Sequence, residues 1–156
     1  MSRRQLEFSC EGATLVGTLD EAQGGTGLLI VTGGNETRAG AFSGQAELAA
    51  RIAEAGYSTF RFDRRGTGDS DGANLGFRAS LEDIAAALAC FRAQNPGMKR
   101  VIGFGNCDAA SALMLASGAG FDGLVIANPW MIEDGNSAPP PKLVRTRYAE
   151  KLRDPK

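Results

Sequence analysis

Val101-Ile102-Gly103-Phe104-Gly105-Asn106-Cys107-Asp108-Ala109-Ala110-Ser111 is the stretch on which the reading of this chain turns. A short apolar strand runs into Gly105-Asn106-Cys107-Asp108-Ala109 and then directly into an apolar helix from Ala110 to Leu115. Strand, sharp turn and helix in immediate succession are the setting of a nucleophile elbow, with Cys107 at its apex. So tight a turn needs small neighbours, and Gly105 and Ala109 flank Cys107 at the required positions. The apex lifts its side chain clear of the sheet. The backbone N–H of Asp108, at a helix N-terminus, then faces charge developing beside the apex. Cys107 is thus the expected catalytic nucleophile and Asp108 an expected oxyanion-hole donor.

Upstream, Leu6 to Cys10 and Ala13 to Leu19 are β-prone runs around Glu11-Gly12 and read as an opening hairpin. Gly27 to Val31 is a continuous apolar run, suited to a strand buried on both faces of a parallel sheet. It ends in Thr32-Gly33-Gly34-Asn35, and the N–H groups of Gly34 and Asn35 are the expected second oxyanion donors. Ala46, Ala49, Ile52 and Ala53 predict a helix from Gln45 to Ala55, capped by Gly56. Tyr57 to Phe62 reads as a strand. Ser80 and Asp83 fit a capping box for a helix from Leu81 to Gln94, with Leu81, Ile84, Ala85 and Leu88 on its buried face.

Arg100 to Phe104 is the elbow strand and Leu124 to Ala127 the strand after the elbow helix. The order β-β-β-α-β-α-β-α-β predicts an α/β fold: three layers around a mostly parallel sheet with an antiparallel start, incomplete at its C-terminal side. Residues 1–130 form that core. Residues 131–156, with Pro139-Pro140-Pro141 and a run of lysines and arginines, read as the start of a cap region or a basic tail. Leu143, Arg147, Tyr148 and Leu152 would share one side of a short amphipathic helix there.

The 156-residue length suits one domain, and 43% hydrophobic with 22% charged residues is ordinary for a globular chain. A net charge of −1 gives no electrostatic case for nucleic acid or a membrane surface. The apolar runs fall far short of the ~20 residues a membrane span needs. Met1-Ser2-Arg3-Arg4 is basic, but no apolar core follows it as a secretory leader would require. Cys10, Cys90 and Cys107 are widely spaced, which fits a reducing cytoplasm and argues against a disulfide framework or a zinc site. No cofactor or metal is implied. The sharpest compositional fact is that the chain has no histidine.

Other motifs compete with this reading. Gly103-Phe104-Gly105-Asn106-Cys107-Asp108 resembles a dinucleotide fingerprint without its last glycine, yet Asp108 would set a carboxylate where pyrophosphate should approach. Asp122 has the spacing of a ribose-binding acid but precedes its strand instead of ending it. Cys107 also admits a bland reading as a buried, inert thiol. Cys90, mid-helix among alanines, reads as core, and Cys10 as the near-surface end of a strand. Asp63 to Ser70 lacks the G-K-[ST] of a phosphate loop and carries acids of its own. It reads as a structural turn in which Arg65 and Asp69 brace neighbouring loops. Glu133 and Asp134 stand where a triad acid can occur, but read better as solvated loop carboxylates.

Taken together, the D-x-R-G-x-G-x-S loop, the G-N-C-D-A elbow and the Asn128-Pro129-Trp130 that follows the next strand resemble the α/β-hydrolase superfamily. More narrowly, G-G-N, R-F-D-R-R-G-T-G-D-S, G-N-C-D-A-A-S and N-P-W look like the exosortase-A-system-associated hydrolases, bacterial proteins linked to exopolysaccharide gene clusters. The resemblance runs from the opening strands to the start of the cap region. It implies an ester- or thioester-cleaving fold acting on a small molecule, with Cys107 as nucleophile. Dienelactone hydrolases of the same superfamily also use cysteine there.

The superfamily orders its triad as nucleophile, acid, histidine, the last two on later loops. Both the later strands and the histidine are missing from this sequence. Two readings follow. One is the nucleophile-bearing part of a hydrolase, truncated or split, completed by a complementing chain. The other is a non-catalytic scaffold or binding module of the same ancestry in exopolysaccharide biosynthesis, its last strand capped by the tail or by a homodimer.

Overall fold

The computed structural model describes residues 2–118 and 120–130. Its elements are β1 (Ser2–Cys10), β2 (Ala13–Glu21), β3 (Thr26–Val31), α1 (Gly44–Glu54), β4 (Ser58–Phe62), α2 (Leu81–Gln94), β5 (Arg100–Asn106), α3 (Asp108–Leu115) and β6 (Gly123–Ala127). Short 3-10 turns at Ala41–Ser43 and Phe77–Ala79 precede α1 and α2. The element order is the expected one, although β1 starts earlier and β2 ends later than the alternation alone suggested.

The sheet runs β1-β2-β4-β3-β5-β6. β1 and β2 form the antiparallel hairpin, β2 meets β4 antiparallel, and β4, β3, β5 and β6 are mutually parallel. Parallel strands need crossover connections, and α1, α2 and α3 supply them. Leu29, Ile30 and Val31 are fully buried because β3 lies centrally with helices over both faces. Phe60 of β4 stacks on Phe91 of α2, with ring centroids 5.6 Å apart. Arg61, next along the strand, must therefore point to the opposite face, where it donates to the carbonyl of Arg38 ahead of α1. The main core lies on the α2 and α3 face and joins Leu15, Leu29, Phe60, Phe62, Phe91 and Leu113.

Three local expectations are corrected. Ala85 is exposed, while Asp83, Ala87 and Phe91 are buried beside Ile84 and Leu88. Ser80 and Asp83 make no capping box. The Ser80 hydroxyl donates to the Gly76 carbonyl and accepts from Arg64, and Asp83 is taken by Arg65. Cys10 is buried, not near the surface, because α2 packs over β1, and its thiol donates to Asp83 Oδ1 at 3.4 Å. Gly56 follows the helix cap at φ 97°, a conformation glycine adopts without strain. The expectations for residues 131–156, and with them Glu133 and Asp134, lie outside the described residues.

Candidate active site

β5 delivers Cys107 at the carboxyl end of the sheet, directly before the first residue of α3. Its backbone stands at φ 59° and ψ −127°, a region that side-chain-bearing residues rarely occupy. Neighbours hold it there. The Cys107 N–H donates to the Ala127 carbonyl at 3.1 Å, and its carbonyl accepts from Ala110 at 3.1 Å and Trp130 at 3.2 Å. The Ser111 hydroxyl in turn donates to the Trp130 carbonyl at 2.6 Å, so the segment after β6 is tied to the elbow.

A β-carbon on Gly105 would lie 2.8 Å from the backbone of both Ala109 and Ala110. Only glycine lets helix and strand meet that closely. The Cys107 side chain is half-buried, and its cysteine is a free thiol.

The loop after β3 lies against this turn. A β-carbon on Gly33 would come within 2.8 Å of the Asn106 carbonyl oxygen and 2.9 Å of Asp108 Oδ1. The exposed Gly34 donates its N–H to Asp108 Oδ1 at 2.6 Å. Asp108 was read from sequence as a backbone donor, yet its carboxylate reaches across to the loop expected to hold the second donor. Asn35 is exposed, with its side-chain oxygen accepting from Asn74 at 2.9 Å. The Asp108 N–H opens α3, where helix geometry leaves it without an intrahelical acceptor.

Arg64 is the residue that sequence reasoning missed. Its guanidinium is buried and donates to the Gly34 carbonyl at 2.6 Å and the Ser80 hydroxyl at 3.0 Å. It also stands 3.5 Å from Asp108 Oδ2. One buried cation thus joins the loop after β3, the start of α2 and the elbow. The available signal was its place two residues beyond a fully buried strand, since a charged residue buried there must be paired.

The other singled-out residues lie elsewhere. Arg65 pairs with Asp83 at 2.5 Å and Glu11 at 2.5 Å, and Asp69 accepts from Arg38 at 2.8 Å, so both brace loops. Asp122 accepts from the Val101 N–H at 2.8 Å. Burial, reinforced by the Asp83 carboxylate, pushes the Cys10 thiol up to about 11, and burial also raises that of Cys90.

A cavity of about 410 Å³ is lined by Arg3, Arg38, Arg61 and Asp69 among others, and shares no lining residue with the elbow. Its guanidiniums face the buried carboxylates of Asp20 and Asp63 and that of Asp69. Three cations against three anions make it a structural ion-pair network. Among the described residues, no group of histidine, cysteine or acidic side chains is placed to hold a metal ion. No helix among them is long and apolar enough to cross a membrane.

The family profile described as serine aminopeptidase, S33, matches residues 26–154. Among solved structures, the chain is similar to the α/β hydrolase GrgF from Penicillium sp. sh18, with TM-score 0.75 and 23% identity over 99% of this chain and 54% of that one. It is similar to the esterase Pf2001 of Pyrococcus furiosus, with TM-score 0.73 and 18% identity over 94% of this chain and 61% of that one. A third is XC6422 from Xanthomonas campestris, a serine hydrolase without a lid, with TM-score 0.68 and 20% identity over 90% of this chain and 68% of that one. At these identities the likeness concerns the fold. The chain spans about half the length of the Penicillium protein. No curated protein matches it.

Proposed function

Since this chain belongs to the serine aminopeptidase S33 family and has the α/β-hydrolase fold, we propose that it carries the nucleophile half of an ester- or thioester-cleaving site, with Cys107 as attacking group. The observation that carries the reading is the elbow. Cys107 is held at φ 59°, half-buried, between the first turn of α3 and the loop after β3. A merely structural cysteine has no need of so strained a position.

The chemistry follows from the placement. The Cys107 thiolate attacks an acyl carbonyl, an S–C bond forms, and the carbonyl electron pair collects on oxygen. That oxygen faces the Asp108 N–H, with Gly34 and Asn35 as the second source of donors. Collapse expels the alkoxide or thiolate and leaves a thioester on Cys107. Release of the acyl group requires a base to activate water. None of these 156 residues is a histidine, the base this fold normally uses, so in this reading the base comes from a continuing or complementing chain.

The motif set quoted above favours an exosortase-A-system-associated hydrolase, with residues 131–156 beginning a cap and the protein working in a reducing cytoplasm on a small ester or thioester. The non-catalytic alternative, in which the fold acts as scaffold or dimerises, is favoured by the absent histidine and by the Asp108 carboxylate on Gly34.

Incubation with p-nitrophenyl acetate, read by intact mass and peptide mapping, tests the proposal. The expected result is one acetyl group on Cys107, with nitrophenolate release stopping at one equivalent and lost in Cys107→Ala. Absence of acylation at Cys107 over hours would overturn it in favour of the scaffold.

A further inference from the structure

Asp108 stands one residue beyond Cys107, and its carboxylate, not a substrate, holds the Gly34 N–H at 2.6 Å. A contact this short belongs to the strong class in which the acceptor is ionised. The contact is built into the backbone. Gly33 lacks a β-carbon that would meet Asp108 Oδ1 at 2.9 Å, and the Gly34 carbonyl is fastened to buried Arg64 at 2.6 Å. The same Arg64 offers the carboxylate a second berth, 3.5 Å from its Oδ2.

From this geometry we infer that Asp108 is a positioning residue that plugs the oxyanion loop from within. The inference rests on the reading of Cys107 as nucleophile. With Asp108 on Gly34, the site offers an incoming carbonyl the Asp108 N–H but not the Gly34 N–H. A neutral carbonyl oxygen cannot compete with a full carboxylate for that donor, whereas a developing oxyanion can. Asp108 then shifts toward Arg64, and the Gly34 donor is released only as the tetrahedral intermediate forms. Acylation of Cys107 is slowed by this exchange. Alkylation is not, because displacement of iodide by the thiolate puts no charge on a carbonyl oxygen.

The test compares second-order rates at Cys107 for p-nitrophenyl acetate and iodoacetamide, at one pH, in the full chain and in D108N and D108A. Removing the plug should raise the ratio of acylation to alkylation at least tenfold in D108A, since one oxyanion donor is worth roughly 10²–10³ in rate. D108N, which keeps an uncharged acceptor for Gly34, should fall between. Rates that rise together would show that Asp108 acts only through its charge on the thiolate, and would overturn the plug. A falling ratio, meaning that Asp108 holds the loop in working shape, would overturn it too.

A measurement on the unaltered chain guards against misfolded variants. The Gly34 amide should exchange with deuterium at least tenfold more slowly than an exposed loop amide, and exchange at the loop rate would refute the contact. If Cys107 takes iodoacetamide but is acylated in none of the three proteins, the nucleophile reading fails instead. The Gly34 exchange result would still stand.

Discussion

The loop that leaves β4 and the turn that leaves β5 flank β3 at the same end of the sheet, and each depends on a glycine where backbones meet, Gly66 in the first and Gly105 at the end of β5, yet they dispose of their polar groups in opposite ways. In the first, buried Asp63 takes the Arg38 guanidinium and the Asp69 N–H, and Ser70 donates to the Asp63 carbonyl and accepts from Val16. Thr67 closes on the Arg64 carbonyl at 2.7 Å. Asp63, Thr67 and Ser70 of that loop are thus all taken by partners. In the second, Cys107 is half-buried on a strained backbone beside a helix N-terminus. Glycine content therefore does not mark a site. What separates brace from proposed site is whether the polar groups are already satisfied and whether strain is left standing on a cysteine.

The largest break in this comparison should come from the brace. Asp63→Ala leaves Arg38, itself mostly buried, without its inner carboxylate. Removing one partner of a buried ion pair costs about 3–5 kcal/mol, and urea unfolding should show a loss of that order. A loss below about 1 kcal/mol would mean that the loop after β4 is a surface loop like any other.

Thiol chemistry sharpens the contrast. Cys10 sits under the brace, bonded to the Asp83 that Arg65 also binds. Its thiol is raised from an ordinary 9.0 to about 11, first by burial and then by Asp83. A raised thiol stays protonated as pH climbs, so near neutral pH Cys10 carries about a hundredfold less thiolate than an ordinary cysteine. Iodoacetamide at pH 8, followed by mass spectrometry, should label Cys107 well before Cys10. By the same sign, the folded state loses stability as pH rises from 9 towards 11, because the unfolded chain releases that proton first. Equal labelling of the two cysteines would erase the distinction between brace and site.

Gly105→Ala probes the elbow itself. The new methyl group would meet backbone atoms at 2.8 Å, and backbone cannot step aside as a side chain can. A stability loss of about 1–3 kcal/mol is expected, together with a changed labelling rate at Cys107. Loss of stability without a change in labelling would uncouple the tight turn from the thiol.

Much of this was legible in the sequence because the signals were local. The apolar run to Val31, the helical spacing of Ala46, Ala49, Ile52 and Ala53, and the small residues around Cys107 each constrain a few consecutive positions. What stayed hidden required partners far apart in the chain. Ser80 and Asp83 have the spacing of a capping box, but Arg64 and Arg65 claim their side chains first, and tertiary pairing overrides the local motif. Cys10 ends a strand as expected, yet the packing of α2 decides its burial. Asp108 was legible as a backbone donor, whereas its carboxylate finds Gly34 across 74 residues of sequence. No periodicity encodes such a contact.

The smallest effect is also the one that bears most directly on the elbow. Cys107→Gly removes the side chain from a backbone at φ 59° and ψ −127°, a conformation that glycine adopts at little cost. Strain of this kind is worth of order 1–3 kcal/mol, and glycine gives part of that back through the greater freedom of its unfolded chain. The net expectation is a gain of about 1 kcal/mol in thermal or urea unfolding, with acylation at position 107 abolished. A stabilising substitution at the proposed nucleophile is what a site built against its own stability should give. If Cys107→Gly instead destabilises the fold, the cysteine is there for packing, and the turn after β5 is a second brace.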